Sequence, residues 1–378
     1  MTSNETIQCS TEGERYAGLD VLRALGSFGV IFVHVYTAVG QPSSIYWLLK
    51  LRDFSLPVLV LSSFFLLTAS LSRKPEYGFA DFFGRRAKRL WLPMVIWTAI
   101  YSLAIAFVLP GVFAVESMGL PPLAVFMTGY RHLWYLQFVF LGSLLIYPLI
   151  IFLVRKVKDS AWSSYKSYGA LGSCAIFLMF FRLYADWDAI APEADISVQM
   201  FVSQSASYFP LIPWAAAVGL ARHRIVSLFT RKTFRILSLA AVLAAAGVHL
   251  AMDNVPFTRE AFAFAVFFAA LQPIRRVQLK RLAPLAGNSY GIYILHFLPV
   301  QIVWILVAVK GYGFGGASVL VLTAGIYVGC FALTSALGRL PFAEWFLPTV
   351  FTALRRKTAT QHEEPIVPAG PPARRLAV

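Results

Sequence analysis

Leu22-Arg23-Ala24-Leu25-Gly26-Ser27-Phe28-Gly29-Val30-Ile31-Phe32-Val33-His34 is a greasy stretch that opens on a cation and closes on an imidazole. Both groups are expensive inside a bilayer, so an intramembrane pair of this kind marks a functional site by default. Eleven residues at 100° each return to within about 20° of the starting azimuth, so a helix projects Arg23 and His34 from one face, roughly 16 Å apart. One face thus offers an anion-binding group near one end and a proton acceptor about three turns away. The competing readings are an arginine that snorkels to lipid phosphates and a histidine that hydrogen-bonds a neighbouring helix. Their shared face makes joint coincidence the weaker explanation.

Composition places the whole chain in lipid. Of 378 residues, 58% are hydrophobic and 13% charged, with a mean hydropathy of +0.67. Soluble domains carry about 25% charged residues. The net charge of +15 would suggest nucleic acid in a soluble protein. Here the basic residues flank apolar segments, which is an orientation signal, and no nucleic-acid partner is expected. Cys9, Cys174 and Cys330 are too scattered for a disulfide framework or a metal site. The first eighteen residues carry Glu5, Glu12 and Glu14 rather than a basic start, so the apolar stretch from Leu19 reads as a retained anchor.

Segments near the 20 residues that a span needs are Leu19–Val39, Phe54–Leu71, Leu90–Leu109, Leu133–Val154, Tyr168–Tyr184, Phe234–Met252, Tyr290–Val309 and Ser318–Leu337. Tyr208–Ala221 and Phe257–Leu271 are weaker. If all ten cross, alternate connections and the tail hold 25 of the 33 basic residues, among them Arg73, Arg85, Arg155, Arg224, Arg276 and Arg355. The other connections hold few, including Lys50, Arg52, Arg131 and Arg259, together with the acids Asp186, Glu193 and Asp253. The positive-inside rule makes the first set cytoplasmic, and the sign flips at both weak segments. The expected fold is an all-α integral membrane bundle of about ten transmembrane helices with both termini in the cytoplasm. Residues 1–18 form a cytoplasmic segment, 19–337 the transmembrane domain, and 338–378 a surface-lying stretch and a proline-rich disordered tail.

Further polar groups recur at span ends. Arg86 and Arg89 precede the third span three residues apart, neighbours on a helix that either clamp a phosphate or belong, as Arg85 and Lys88 do, to an ordinary positive-inside cluster. The fourth span opens Arg131-His132-Leu133-Trp134-Tyr135. Tyr135 suits an interfacial aromatic belt, whereas His132 and Trp134 could line a pocket. The ninth opens Asn288-Ser289-Tyr290-Gly291-Ile292-Tyr293-Ile294-Leu295-His296. Ser289, Tyr293 and His296 form one polar stripe that lines a cavity or bonds neighbouring helices. His249 and His223 lie near span ends, where solvent contact accounts for them.

These pieces, in this order, resemble the membrane-bound acyltransferase-3 family, the ten-helix bacterial O-acyltransferases of O-antigen and exopolysaccharide acetylase type. The matching segments are Arg23-x10-His34, Arg86-x-x-Arg89, the HisLeuTrpTyrLeu run at His132 and the run from Asn288 to His296. The likeness extends from about Tyr16 to Leu337. It implies transfer of an acyl group, usually acetyl from acetyl-CoA, to a carbohydrate or lipid-linked glycan hydroxyl beyond the bacterial cytoplasmic membrane. It also implies a role for a separate periplasmic transfer protein, since some relatives carry such a domain themselves. Under that resemblance Arg86 and Arg89, helped by Arg23, hold the CoA phosphates. His34 then acts as general base or as acyl carrier. No metal or redox cofactor is expected. A rival reading is a transporter or flippase of a lipid-linked sugar or small metabolite, although the chain lacks the paired halves common in transporters.

Overall fold

The computed structural model describes residues 16–108, 131–158, 164–184, 196–229, 231–252, 255, 257–272, 287–340 and 343–347. All secondary structure there is helical. Among the described residues, six helices are long and apolar enough to cross a membrane: Ala17–Ala38, Ser43–Arg73, Trp134–Lys156, Lys232–Ala251, Gly287–Ala308 and Gly316–Leu337. This is a multi-pass membrane protein. Helices also occupy the other four predicted segments, at Leu92–Val108, Ser164–Tyr184, Leu211–Leu220 and Thr258–Ala270, though the last two run for only 10 and 13 residues. The expected N-terminal segment lies outside the described residues up to Glu14 and Arg15, and so does the tail from residue 348 onward.

Burial separates centre from rim. The Ala17–Ala38 helix is 61% buried over its apolar window, against 11% for Lys232–Ala251. Leu237, Leu239 and Leu243 on the latter are exposed, an arrangement that water would penalise and lipid tails favour. The first helix is surrounded by Ser55–Arg73, Thr258–Ala270, Phe297–Lys310 and Gly316–Leu337. Small residues let these neighbours close in. A Cβ added at Gly18 would collide with the Ala270 carbonyl oxygen, and one at Gly29 with the Ser55 hydroxyl. Some Ser and Thr side chains inside the bundle bond back to their own helices, as Thr68 does to the Phe64 carbonyl (2.8 Å) and Thr323 to that of Val319 (2.7 Å).

The sequence reading placed Arg52 in an outer connection ahead of the second span, and the structure shows that connection to be helical. Helix begins at Ser43 and runs 31 residues to Arg73 through short 3-10 turns. Arg52 therefore packs within the bundle, its Cβ 3.5 Å from where a side chain on Gly29 would begin. It bonds Asp53 (3.2 Å), whose other oxygen lies 3.4 Å from His249 Nε2. His249 is buried, not bathed in solvent. Nearby, Glu260 receives both Arg182 (2.8 Å) and Arg259 (2.6 Å). Charges buried in a membrane pair in this way because an uncompensated one costs several kcal/mol.

The predicted ninth span is interrupted. Helix covers residues 287–295, breaks at His296 and resumes at Phe297–Lys310. Pro299 explains the break: it has no N–H for the Leu295 carbonyl, and its ring crowds that turn. Gly311, at φ +67°, then closes the helix in the left-handed conformation that favours glycine. The short Ala343–Phe346 helix packs on Leu92–Val108, where Trp97 Nε1 donates to the Phe346 carbonyl (3.2 Å). So the described part of the stretch expected along the membrane surface is docked on the bundle.

Candidate active site

The first helix faces inward at both of its marked residues. Arg23 lines a cavity of about 260 Å³ together with Arg86 and Arg89. Ser27, Ser63, Tyr135, Ser289, Tyr290 and Tyr293 supply most of its polar wall. The two distal arginines reach it through a local irregularity. The helix Phe79–Arg86 passes into a π-helical turn at Ala87–Trp91 before Leu92–Val108 begins. Such widened turns recur at functional sites because they re-aim side chains. Arg85 and Lys88 point elsewhere, over the rings of Tyr77 (5.0 Å) and Trp345 (5.1 Å).

Three guanidiniums around one space repel each other. Arg86 sits over the Phe82 ring at 5.5 Å. Desolvation, then the Arg89 charge, pushes its pKa down to about 10, so it stays cationic at neutral pH. Arg89 in turn feels the charge of Arg23. Among the described residues no carboxylate lines the cavity, which makes an anion, phosphate above all, the complementary occupant.

Backbone ties fix the opposite wall. Ser27 Oγ donates to the Arg23 carbonyl at 2.9 Å and lies 3.3 Å from that of Ser289. The Tyr290 hydroxyl donates to the Arg89 carbonyl (3.2 Å). Tyr135 is buried, with its hydroxyl 3.2 Å from Ser63 Oγ. It belongs to the cavity wall, not to an interfacial aromatic belt.

Beyond Tyr293 lies a cluster of histidines. His34 and His296 stand 5.3 Å apart between ring centres, and His132 and His296 5.1 Å. Tyr293 contacts both His132 (6.0 Å) and His296 (5.8 Å). His132 stacks on Phe297 at 4.5 Å and meets Tyr101 edge-on at 5.2 Å. Two backbone carbonyls just before His296 accept from this cluster. Ile294 accepts from the Tyr101 hydroxyl (2.5 Å) and from His132 Nε2 (3.3 Å). Tyr293 accepts from His296 Nδ1 (2.6 Å). Among the described residues, no group of three or more His, Cys, Asp or Glu side chains has the arrangement to hold a metal ion.

Of the residues singled out in the sequence, Arg23, Arg86, Arg89, Ser289 and Tyr293 share the cavity. His34, His132 and His296 share the adjoining cluster. Trp134 joins neither, stacking instead on Tyr208 at 5.9 Å. Tyr101, Tyr135, Tyr290 and Phe297 were not singled out for the site. Pro299, three residues past His296, was the one signal that could have flagged the broken helix.

No curated protein and no solved structure matches the chain significantly. Residues 16–339 match the acyltransferase domain family, which takes in both the arginine cavity and the histidine cluster. With most of its length inside that match, the chain belongs to the acyltransferase-3 family of membrane acyltransferases.

Proposed function

We propose that this acyltransferase moves an acetyl group from acetyl-CoA to a hydroxyl of a carbohydrate or lipid-linked glycan beyond the bacterial cytoplasmic membrane. One observation carries the reading. Three cationic side chains from two separate segments line a single cavity whose Tyr293 wall adjoins the His34 cluster. The CoA phosphates dock on Arg86 and Arg89, with Arg23 deeper, from the cytoplasmic side. The pantetheine arm follows the first helix and brings the thioester to His34.

At His34 two routes share one requirement, an unprotonated ring nitrogen. As general base it takes the acceptor hydroxyl proton while the oxygen attacks the thioester carbonyl. As acyl carrier it attacks that carbonyl itself, and the acceptor hydroxyl then resolves the acyl-imidazole. In either case CoA leaves as the thiol on the cytoplasmic side and the ester forms on the outer side. A separate periplasmic protein could then pass the acyl group onward.

Labelled acetyl-CoA in membrane vesicles tests this, with glycan O-acetylation compared in cells with and without the protein. Wild-type protein should consume the thioester, which a transporter would leave intact. His34→Ala should lower turnover by about 10²–10⁴ at unchanged abundance, the usual worth of acid–base help. Retained activity would remove His34 from the reaction.

A further inference from the structure

Two buried ring nitrogens in the cluster lack a hydrogen-bond partner: Nδ1 of His132 and Nε2 of His296. Their protonation follows from what the opposite nitrogens touch. His296 Nδ1 lies 2.6 Å from the Tyr293 carbonyl, and His132 Nε2 lies 3.3 Å from that of Ile294. A carbonyl oxygen only accepts, so those two nitrogens carry the hydrogens. In the neutral rings the orphaned nitrogens are then bare lone pairs. Two lone pairs cannot satisfy each other, so the His132–His296 contact leaves both in need of a donor.

His34 offers one at the right separation. Its ring centre is 5.3 Å from that of His296, with planes 35° apart. Imidazoles joined end to end by one N–H···N bond of about 3 Å have centres roughly 5 Å apart. His34 is only half-buried and makes no hydrogen bond to a described residue, so its ring can turn onto that lone pair.

We propose that His296 is the positioning partner of His34: its Nε2 accepts the hydrogen of one His34 nitrogen and so keeps the other nitrogen bare, towards the acyl group. The inference rests on the role assigned to His34 above. In direct transfer, the acceptor O–H proton passes to that bare nitrogen as the O–C bond forms and the C–S bond breaks. CoA departs as thiolate and recovers the proton from His34. Throughout, the second N–H of His34 stays on His296, the orienting job a carboxylate performs in a serine-protease triad. A neutral partner suits a bilayer, where a carboxylate in that place would be costly. It also accounts for the lack of any acid one turn from His34 in the sequence.

Two substitutions separate positioning from mere packing. His296→Asn keeps an N–H for the Tyr293 carbonyl and puts nothing at the Nε2 position. His296→Gln can place an amide oxygen there and accept from His34. The readout is modification of His34 by diethyl pyrocarbonate, which attacks bare imidazole nitrogens, followed by peptide mass spectrometry on the full chain in nanodiscs. His34 in the Gln variant should react within about threefold of wild type, and in the Asn variant about tenfold more slowly, the worth of one lost hydrogen bond. Equal rates in the two variants, or the slower rate in Gln, overturn the pairing. Should Asn prevent folding, ¹⁵N spectra of histidine-labelled wild type decide: one His34 tautomer supports the pair, a mixture overturns it. These readouts do not depend on turnover. If they come out as expected while His34→Ala still transfers acetyl, the catalytic role of His34 fails and the pairing stands.

Discussion

The Tyr293 hydroxyl donates to the backbone carbonyl of His132. That bond ties the wall of the arginine cavity to the histidine cluster, so in the proposed function one strut serves both donor binding and chemistry. Tyr293→Phe removes it without changing the ring. We expect kcat for acetyl transfer to fall about tenfold, with the KM for acetyl-CoA unchanged within about twofold. Steady-state kinetics in vesicles check this; a change confined to KM would place Tyr293 in donor binding alone.

Arg86 and Arg89 face one cavity, whereas Arg85 lies over Tyr77. Replacing Arg86 and Arg89 together with Ala should raise the KM for acetyl-CoA about 10- to 100-fold, the loss of one or two charge-assisted hydrogen bonds. Arg85→Ala should leave it unchanged. Donor titrations on the three proteins give the answer, and equal KM values would return Arg86 and Arg89 to topological signals.

Gly18 meets the Ala270 backbone, which cannot step aside as a flexible side chain would. Gly18→Ala should therefore force two helices apart and destabilise the protein by about 1–3 kcal/mol. Gly247, on the lipid-facing Lys232–Ala251 helix, has open space where a Cβ would go. Gly247→Ala should match or slightly exceed wild-type stability, since alanine is the better helix former. Thermal unfolding in detergent compares the pair, and a similar Tm for both would count against the close approach at Gly18.

Glu260 is 4% exposed and holds two arginines on one oxygen. Glu260→Gln should remove one buried countercharge shared by Arg182 and Arg259, at a cost of about 3–5 kcal/mol. Replacing Arg182 with Met in the same protein should recover part of that loss. If the single substitution leaves Tm untouched, the network contributes nothing to folding.

What could be read in advance followed from periodicity and charge. Arg23 and His34 share a helix face at any bundle geometry, and Ser289, Tyr293 and His296 recur at helical spacing. Those relations are local, and the structure keeps them. Arg52 escaped because a window of apolar residues begins at Phe54, whereas the helical run begins at Ser43. Its pairing with Asp53 and its contact at Gly29 are tertiary. Tyr135 and His249 were misplaced for a similar reason. An aromatic or imidazole near a span end suits an interface equally well until the neighbouring helices are known. The donors at the Ile294 carbonyl come from Tyr101 and His132, far away in sequence, and hydropathy carries no trace of them.

The π-helical turn at Ala87–Trp91 makes the register of the arginine motif depend on chain length as well as on residue type. A wide turn of that kind holds one residue more than an α-helix needs. Deleting Ala87 would let the segment relax to ordinary helical winding with Arg86 and Arg89 only two residues apart, about 200° round the helix axis and on opposite faces. Both arginines would survive in the sequence and no longer converge in space. In this family member, an indel of a single codon would thus dismantle the arginine cavity, a loss that no substitution scan of its neighbours would reveal.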